Sequence, residues 1–201
     1  MKLLFIILLI LLFIVYIKYY TKVNLDTEII QVNLNNINYN ILTERNPIVI
    51  YDKLVNTNDM INKTFKHLYS IKHQNLIFND NIKQTLAKYA IFHNDTENDI
   101  EIFISNPIHS KMLSILNNTK NKDRQGGLSP RASGASVRNK DFITFKETSL
   151  ENINSIKVIL HPFNTLILPY NYIFKCETPC SNYFLFDLTN ILIANWRTKF
   201  N

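Results

Sequence analysis

SIKVILHPFNTLILPYNYIFKCETPCSNYFLFDL, residues 155–188, decides the fold class. It contains four short apolar runs: SIKVIL (155–160), TLILP (165–169), NYIFKCE (171–177) and YFLFDL (183–188). Ile, Val, Phe and Tyr dominate them, the residue types that suit a pleated, half-buried surface. Each run is too short for a stable helix, and His-Pro, Pro-Tyr-Asn or Thr-Pro punctuation separates them. Strands this short, spaced by turns, predict an antiparallel β-sandwich or jelly roll.

Working outward, the same alternation recurs. EIIQVNL (28–34), PIVIYD (47–52), LAKYAIFH (86–93), DIEIFI (99–104) and DFITFKE (141–147) all read as strands, with NDTEN turning between the third and fourth. Residues 58–73, NDMINKTFKHLYSIKH, predict a helix with Asn58 as N-cap. Its apolar positions Met60, Ile61, Phe65, Leu68 and Tyr69 fall on one face. HSKMLSILNN (109–118) predicts a second short helix, and ILIANW within 189–198 reads equally as a strand or as a helix capped near Thr189. The expected class is therefore mainly β, with one or two helices in an α+β arrangement.

The N-terminus follows another logic. Leu3 to Ile17, LLFIILLILLFIVYI, carries neither charge nor helix breaker. As a helix it rises about 22 Å, and Met1 with residues 18–20 extend it to about 30 Å, the thickness of a bilayer's hydrocarbon. Lys2 and Lys18 can snorkel, and Tyr19 and Tyr20 suit the headgroup level. The expected partner of residues 3–17 is thus a lipid bilayer, crossed once. A cleaved signal peptide and a buried core helix are the competing readings; YIKYYTKVNL offers no small-x-small cleavage site. Flanking lysines on both sides leave the orientation open. The expected organisation is an anchor at 1–22, a connecting segment with one strand at 23–45, and a β domain at 46–201.

The net charge is +6, but it is concentrated. Lys120, Lys122, Arg124, Arg131, Arg138 and Lys140 against Asp123 place +5 within residues 120–140. That stretch, KNKDRQGGLSPRASGASVRNK, holds all three glycines and reads as a disordered basic loop. Ser133, two residues after Arg131, is its candidate phosphorylation site. Elsewhere the surface has no basic footprint, so no nucleic acid is expected on the folded domain. Asn (28), Ile (29) and Lys (17) supply more than a third of the 201 residues, the bias of an AT-rich genome. The sequons at Asn62, Asn94 and Asn117 are no more numerous than so many asparagines produce by chance.

Chemistry-bearing residues are few. Cys176 and Cys180, spaced C-x3-C around Pro179, are the only cysteines. They read as free thiols or as a local disulfide, and no second pair exists to complete a zinc site. His67 and His73 stand six apart on the predicted helix and face different ways. There is no G-x-S-x-G, P-loop or dinucleotide fingerprint.

KVILHPFNTLILPYNYIFK (157–175) resembles the second conserved block of cupin-like and JmjC-like domains. There a strand is followed by L-x-P-G-D, a second strand ending in I-P, and an aromatic. Leu160, Pro162, Leu166, Leu168, Pro169 and Tyr172 occupy the matching places. NPIVIYDKLVN is similar to the family's opening strand and ILIANW to its closing strand, so the resemblance spans roughly 46–196. The layout also resembles membrane-anchored proteins of giant DNA viruses. The family's Gly-Asp is Phe163-Asn164 here, and its metal-binding His falls at Ile173 or Phe174. The resemblance therefore implies a degenerate, cupin-like sandwich without cofactor or catalytic residues, acting in protein interaction or in membrane or virion structure. The alternative is a membrane-bound iron(II)/2-oxoglutarate oxygenase. For it, His93-Asn94-Asp95 supplies the H-x-D of a facial triad, with His161, before the next turn, as the later histidine.

Overall fold

The computed structural model describes residues 2–21, 27–53, 57–65, 70–73, 82–109, 142–145, 154–187 and 190. Helix α1 (Lys2–Thr21) comes first, followed by strand β1 (Ile30–Val32), a 3-10 turn (Leu34–Asn36), helix α2 (Tyr39–Glu44), β2 (Ile48–Ile50) and helix α3 (Thr57–Thr64). The remaining strands are β3 (Ser70–His73), β4 (Ile82–Thr85), β5 (Tyr89–His93), β6 (Ile100–Ser105), β7 (Phe142–Phe145), β8 (Ser155–Leu160), β9 (Thr165–Pro169), β10 (Ile173–Cys176) and β11 (Ser181–Phe186). They form a β-sandwich of a six-stranded sheet, β1-β2-β9-β5-β11-β3, and a five-stranded sheet, β7-β4-β10-β6-β8. All pairings are antiparallel except β1 with β2.

Strand alternation sorts the apolar residues into two cores. Val49, Ala90, Phe92, Leu166, Leu168 and Phe184 of the larger sheet meet Ile100, Ile102, Ile104, Val158, Leu160 and Phe174 of the smaller one. The alternate residues Ile48, Ile50, Tyr89, Ile91, Ile167, Tyr183 and Leu185 face the other way and are covered by Leu42 of α2 and by Met60, Ile61 and Phe65 of α3 and its end. Tyr89 Oη donates to the Leu42 carbonyl at 3.2 Å, and its ring lies 5.1 Å from that of Phe65. A sheet covered on both faces needs apolar residues at every position, which is why TLILP is buried throughout. β8, at the edge of the smaller sheet, instead alternates, with Ile156, Lys157 and Ile159 exposed.

Two tight turns deliver the chain between sheets. In His161-Pro162-Phe163-Asn164 the Asn164 amide donates to the His161 carbonyl at 3.0 Å and Phe163 has φ 66°. Proline second and a positive φ third describe a type II turn, whose third place favours glycine. Phenylalanine carries a steric cost there that glycine would not. Asn171, at φ 70° in the turn after β9, is of a type that tolerates this region.

The helix expected over 58–73 ends at Thr64. Ser70–His73 is instead strand β3, paired with Tyr183–Phe186, so ladder hydrogen bonds to β11 override the local helical spacing. His73 accordingly stands in a strand, in register with Tyr183, and Leu68 and Tyr69 lie outside the described residues. The proposed helix at 109–118 (beyond a 3-10 turn, Pro107–His109), the 120–140 loop with Ser133, and ILIANW also lie outside them. Residues 27–45, the described part of the segment expected at 23–45 to connect through one strand, contribute that strand as β1 and also α2, with Val32 and Leu42 buried in the helix-side core.

In α1 the described side chains run from Leu3 to Ile14 with residue 12 left out, and all are about half exposed or more, from Ile7 at 49% to Leu4 at 75%. Among the described residues no helix is long and apolar enough to cross a membrane.

Candidate functional site

Three turns, β5–β6, β8–β9 and β10–β11, meet at one end of the sandwich, and the candidate residues gather there. Cross-strand register sets Thr165, His93 and Ser181 in one row over β9, β5 and β11. All three share the parity of Ile91, Ile167 and Tyr183, so they sit at the end of the helix-covered face and not between the sheets. His93 is buried, and its Nδ1 lies 2.9 Å from Thr165 Oγ1. Burial lowers its pKa below the ordinary value, with the Asp95 charge and the Asn164 backbone opposing the shift. A neutral imidazole is the result.

Asp95 turns outward. Its Oδ2 accepts from Ser181 Oγ at 2.8 Å, on the exposed side of the row. Serine, histidine and aspartate are thus all present but wired in the wrong order for nucleophilic catalysis. A relay needs the imidazole between carboxylate and hydroxyl, whereas here aspartate holds serine directly and histidine holds threonine. His161, the other ligand candidate, lies at the surface with Nδ1 2.9 Å from Asp99 Oδ1. Among the described residues no three of His, Cys, Asp and Glu are grouped so as to hold a metal ion. Ile173 and Phe174 are fully buried, and the Phe174 ring packs 4.9 Å from Phe92 between the sheets.

Between His93 and Asp95, Asn94 closes this end of the molecule. Fully buried, it donates from Nδ2 to the carbonyls of Asn98 and Leu160, each at 2.8 Å. Its Oδ1 accepts from the Thr96 amide at 3.0 Å and from Thr96 Oγ1 at 2.7 Å. Its main chain bonds to Asn164 and Phe163 of the neighbouring turn. The sequon it heads is therefore a turn lock, its amide nitrogen spent on two carbonyls.

Cys176 and Cys180 are both free thiols and both buried. No local spacing joins them with Lys83, which β4–β10 pairing sets opposite Phe174, on the face that Cys176 shares. Thr165 and Ser181 were equally unforeseen, because their roles come from inter-strand register, to which local spacing is blind. No protein-family model matches the chain, and no curated protein matches it.

Proposed function

We propose that this protein is a membrane-tethered, non-enzymatic β-sandwich of jelly-roll, cupin-like architecture, of viral origin, acting in protein interaction or in membrane or virion structure. The observation that carries the reading is α1. A helix apolar on every side, with Leu3 to Leu11, Phe13 and Ile14 exposed, belongs either inside a protein core or inside lipid. Its described side chains take no part in either core of the sandwich.

The path of the chain supports the jelly-roll part. From β3 to β6 it alternates large, small, large, small; from β8 to β11 it runs small, large, small, large. Two four-strand units laid over one another in this mirrored order make such a fold. Phenylalanine packing between the sheets supports the non-enzymatic part, as does His93, which faces the helices. An oxygenase would need a third ligand converging with His93 and Asp95. The Asn, Ile and Lys bias supports an AT-rich, viral source.

Alkaline carbonate extraction of membranes from cells expressing the full chain tests the tether, with intact mass of the extracted protein. Retention in the pellet with a mass that begins at Met1 is expected. Release into the supernatant, or a mass lacking the leader, overturns it. Stoichiometric iron in the purified protein, removable by a chelator, would overturn the non-enzymatic assignment.

A further inference from the structure

Among the described residues, the cluster of reactive side chains left unused lies where β10 hands over to β11. Cys176 ends β10 and Cys180 precedes β11, with exposed Glu177, Thr178 and Pro179 looping between them. Both sulfurs are nearly enclosed, at 1% and 5% exposure. Both belong to the same buried cluster between the sheets, and each perturbs the ionisation of the other, so the two side chains are near neighbours. Cys176 Sγ also donates to the Thr178 carbonyl at 3.1 Å. Lys83, on the adjacent strand and 6% exposed, brings positive charge to Cys176.

We propose that Cys176 and Cys180 are a redox-active dithiol that closes reversibly to a disulfide by exchange with a low-molecular-weight disulfide such as oxidised glutathione. The inference is independent of the membrane reading. The two thiols differ in the sense that exchange requires. The bond from Cys180 and the charge of Lys83 lower the pKa of Cys176 against the opposing effect of burial, whereas Cys180 is pushed up by that same bond and by burial. Because Lys83 shares the face of Cys176 on the neighbouring strand, Cys176 is the attacking thiolate and Cys180 the resolving thiol.

In the first step the Cys176 thiolate attacks one glutathione sulfur, forming a mixed disulfide and expelling a glutathione thiolate. Cys180 then gives up its proton and attacks Cys176 Sγ, expelling the second glutathione. Two protein thiols are oxidised, one disulfide is reduced to two thiols, and the protons lost by the protein end on the glutathiones. Because both sulfurs are enclosed, the 177–179 turn must lift for the first step, so the rate is that of a local opening.

The test uses the full chain in detergent, reduced and then titrated with reduced and oxidised glutathione, acid-quenched and weighed intact. With only two cysteines present, a loss of about 2 Da that dithiothreitol reverses identifies the bridge. Cys180→Ser, which keeps Cys176, should take up one glutathione about tenfold faster than Cys176→Ser does. Lys83→Met should slow closure by roughly fivefold. A wild-type chain that gains two glutathiones, forms only intermolecular dimers or stays unchanged overturns the proposal, as does equal reactivity of the two single-cysteine variants.

Discussion

Asn94→Ala removes the amide that ties the β5–β6 turn to the end of β8. Four hydrogen bonds are lost. Those involving the Thr96 amide, Thr96 Oγ1 and the Asn98 carbonyl lie on a partly exposed turn, where water replaces much of their strength. They contribute a few tenths to 1 kcal/mol each. The fourth, to the Leu160 carbonyl, is buried, and loss of its donor there costs about 1–3 kcal/mol. Together the substitution should cost about 3 kcal/mol. For a domain of this size, 1 kcal/mol moves the midpoint by about 2–4 °C, so a fall of about 6–12 °C is expected. Far-UV circular dichroism melts of the full chain in detergent at pH 7 measure it. Thr96→Val, which removes only the hydroxyl's bonds, should lower the midpoint by about 2–4 °C. The two changes should be non-additive, because both act on Asn94 Oδ1. A melt of Asn94→Ala within about 2 °C of wild type would refute the turn-lock reasoning.

At position 163, glycine should be more stable than alanine by about 1 kcal/mol, since both lose the phenyl ring but only alanine pays for the positive φ; equal melts would show that the turn is not strained. His93 has a lowered pKa, so below the ordinary 6.5 the unfolded chain takes the proton first and stability falls as pH drops from there towards the folded value. His93→Gln should flatten that acid limb in melts between pH 7.5 and 5, and an unchanged slope would count against a buried neutral imidazole. Burial pushes Tyr172 up to about 12, although a bond with Thr27 opposes it. The unfolded chain therefore loses this proton first, and stability should fall between pH 10 and 12. Tyr172→Phe should be less sensitive over that window, as read by the same melts; a wild-type-like slope would contradict it.

The strands of the C-terminal half were legible because each packs against a core that local pattern reports. SIKVIL, TLILP, the IFKC of NYIFKCE, and YFLF all lie in strands where their apolar runs place them. IKQT (82–85) was not read as a strand, since Lys83, Gln84 and Thr85 are polar yet buried. Gln84 Nε2 bonds to the Asn171 carbonyl and Thr85 Oγ1 accepts from the Ala87 amide, partners that lie outside any single-strand pattern. The six-residue α2 was missed for want of length, although Asn38 caps it through a bond from the Ile41 amide. SIKH at 70–73 was lost to a helical periodicity that Met60, Ile61 and Phe65 do honour before the chain turns into the sheet. At the candidate site His93 and Asp95 were visible as residues. Their separation onto Thr165 and Ser181 depends on which strands lie beside β5, something a lone sequence does not encode in any local window.

The short stretch between α1 and β1 has a mechanical consequence. Six residue steps separate Thr21 from Thr27, whose hydroxyl accepts from Asn106 Nδ2 at 3.0 Å, a leash of at most about 22 Å even when fully drawn out. A domain of this length has a radius of gyration near 15 Å, so the leash is shorter than the domain is wide. Because β1 is hydrogen-bonded to β2 at the rim of the larger sheet, slack cannot be gained by peeling without breaking that parallel pair. Whatever grips the first helix therefore confines the sandwich to a shell one molecule deep, and only neighbours within that shell can be its partners.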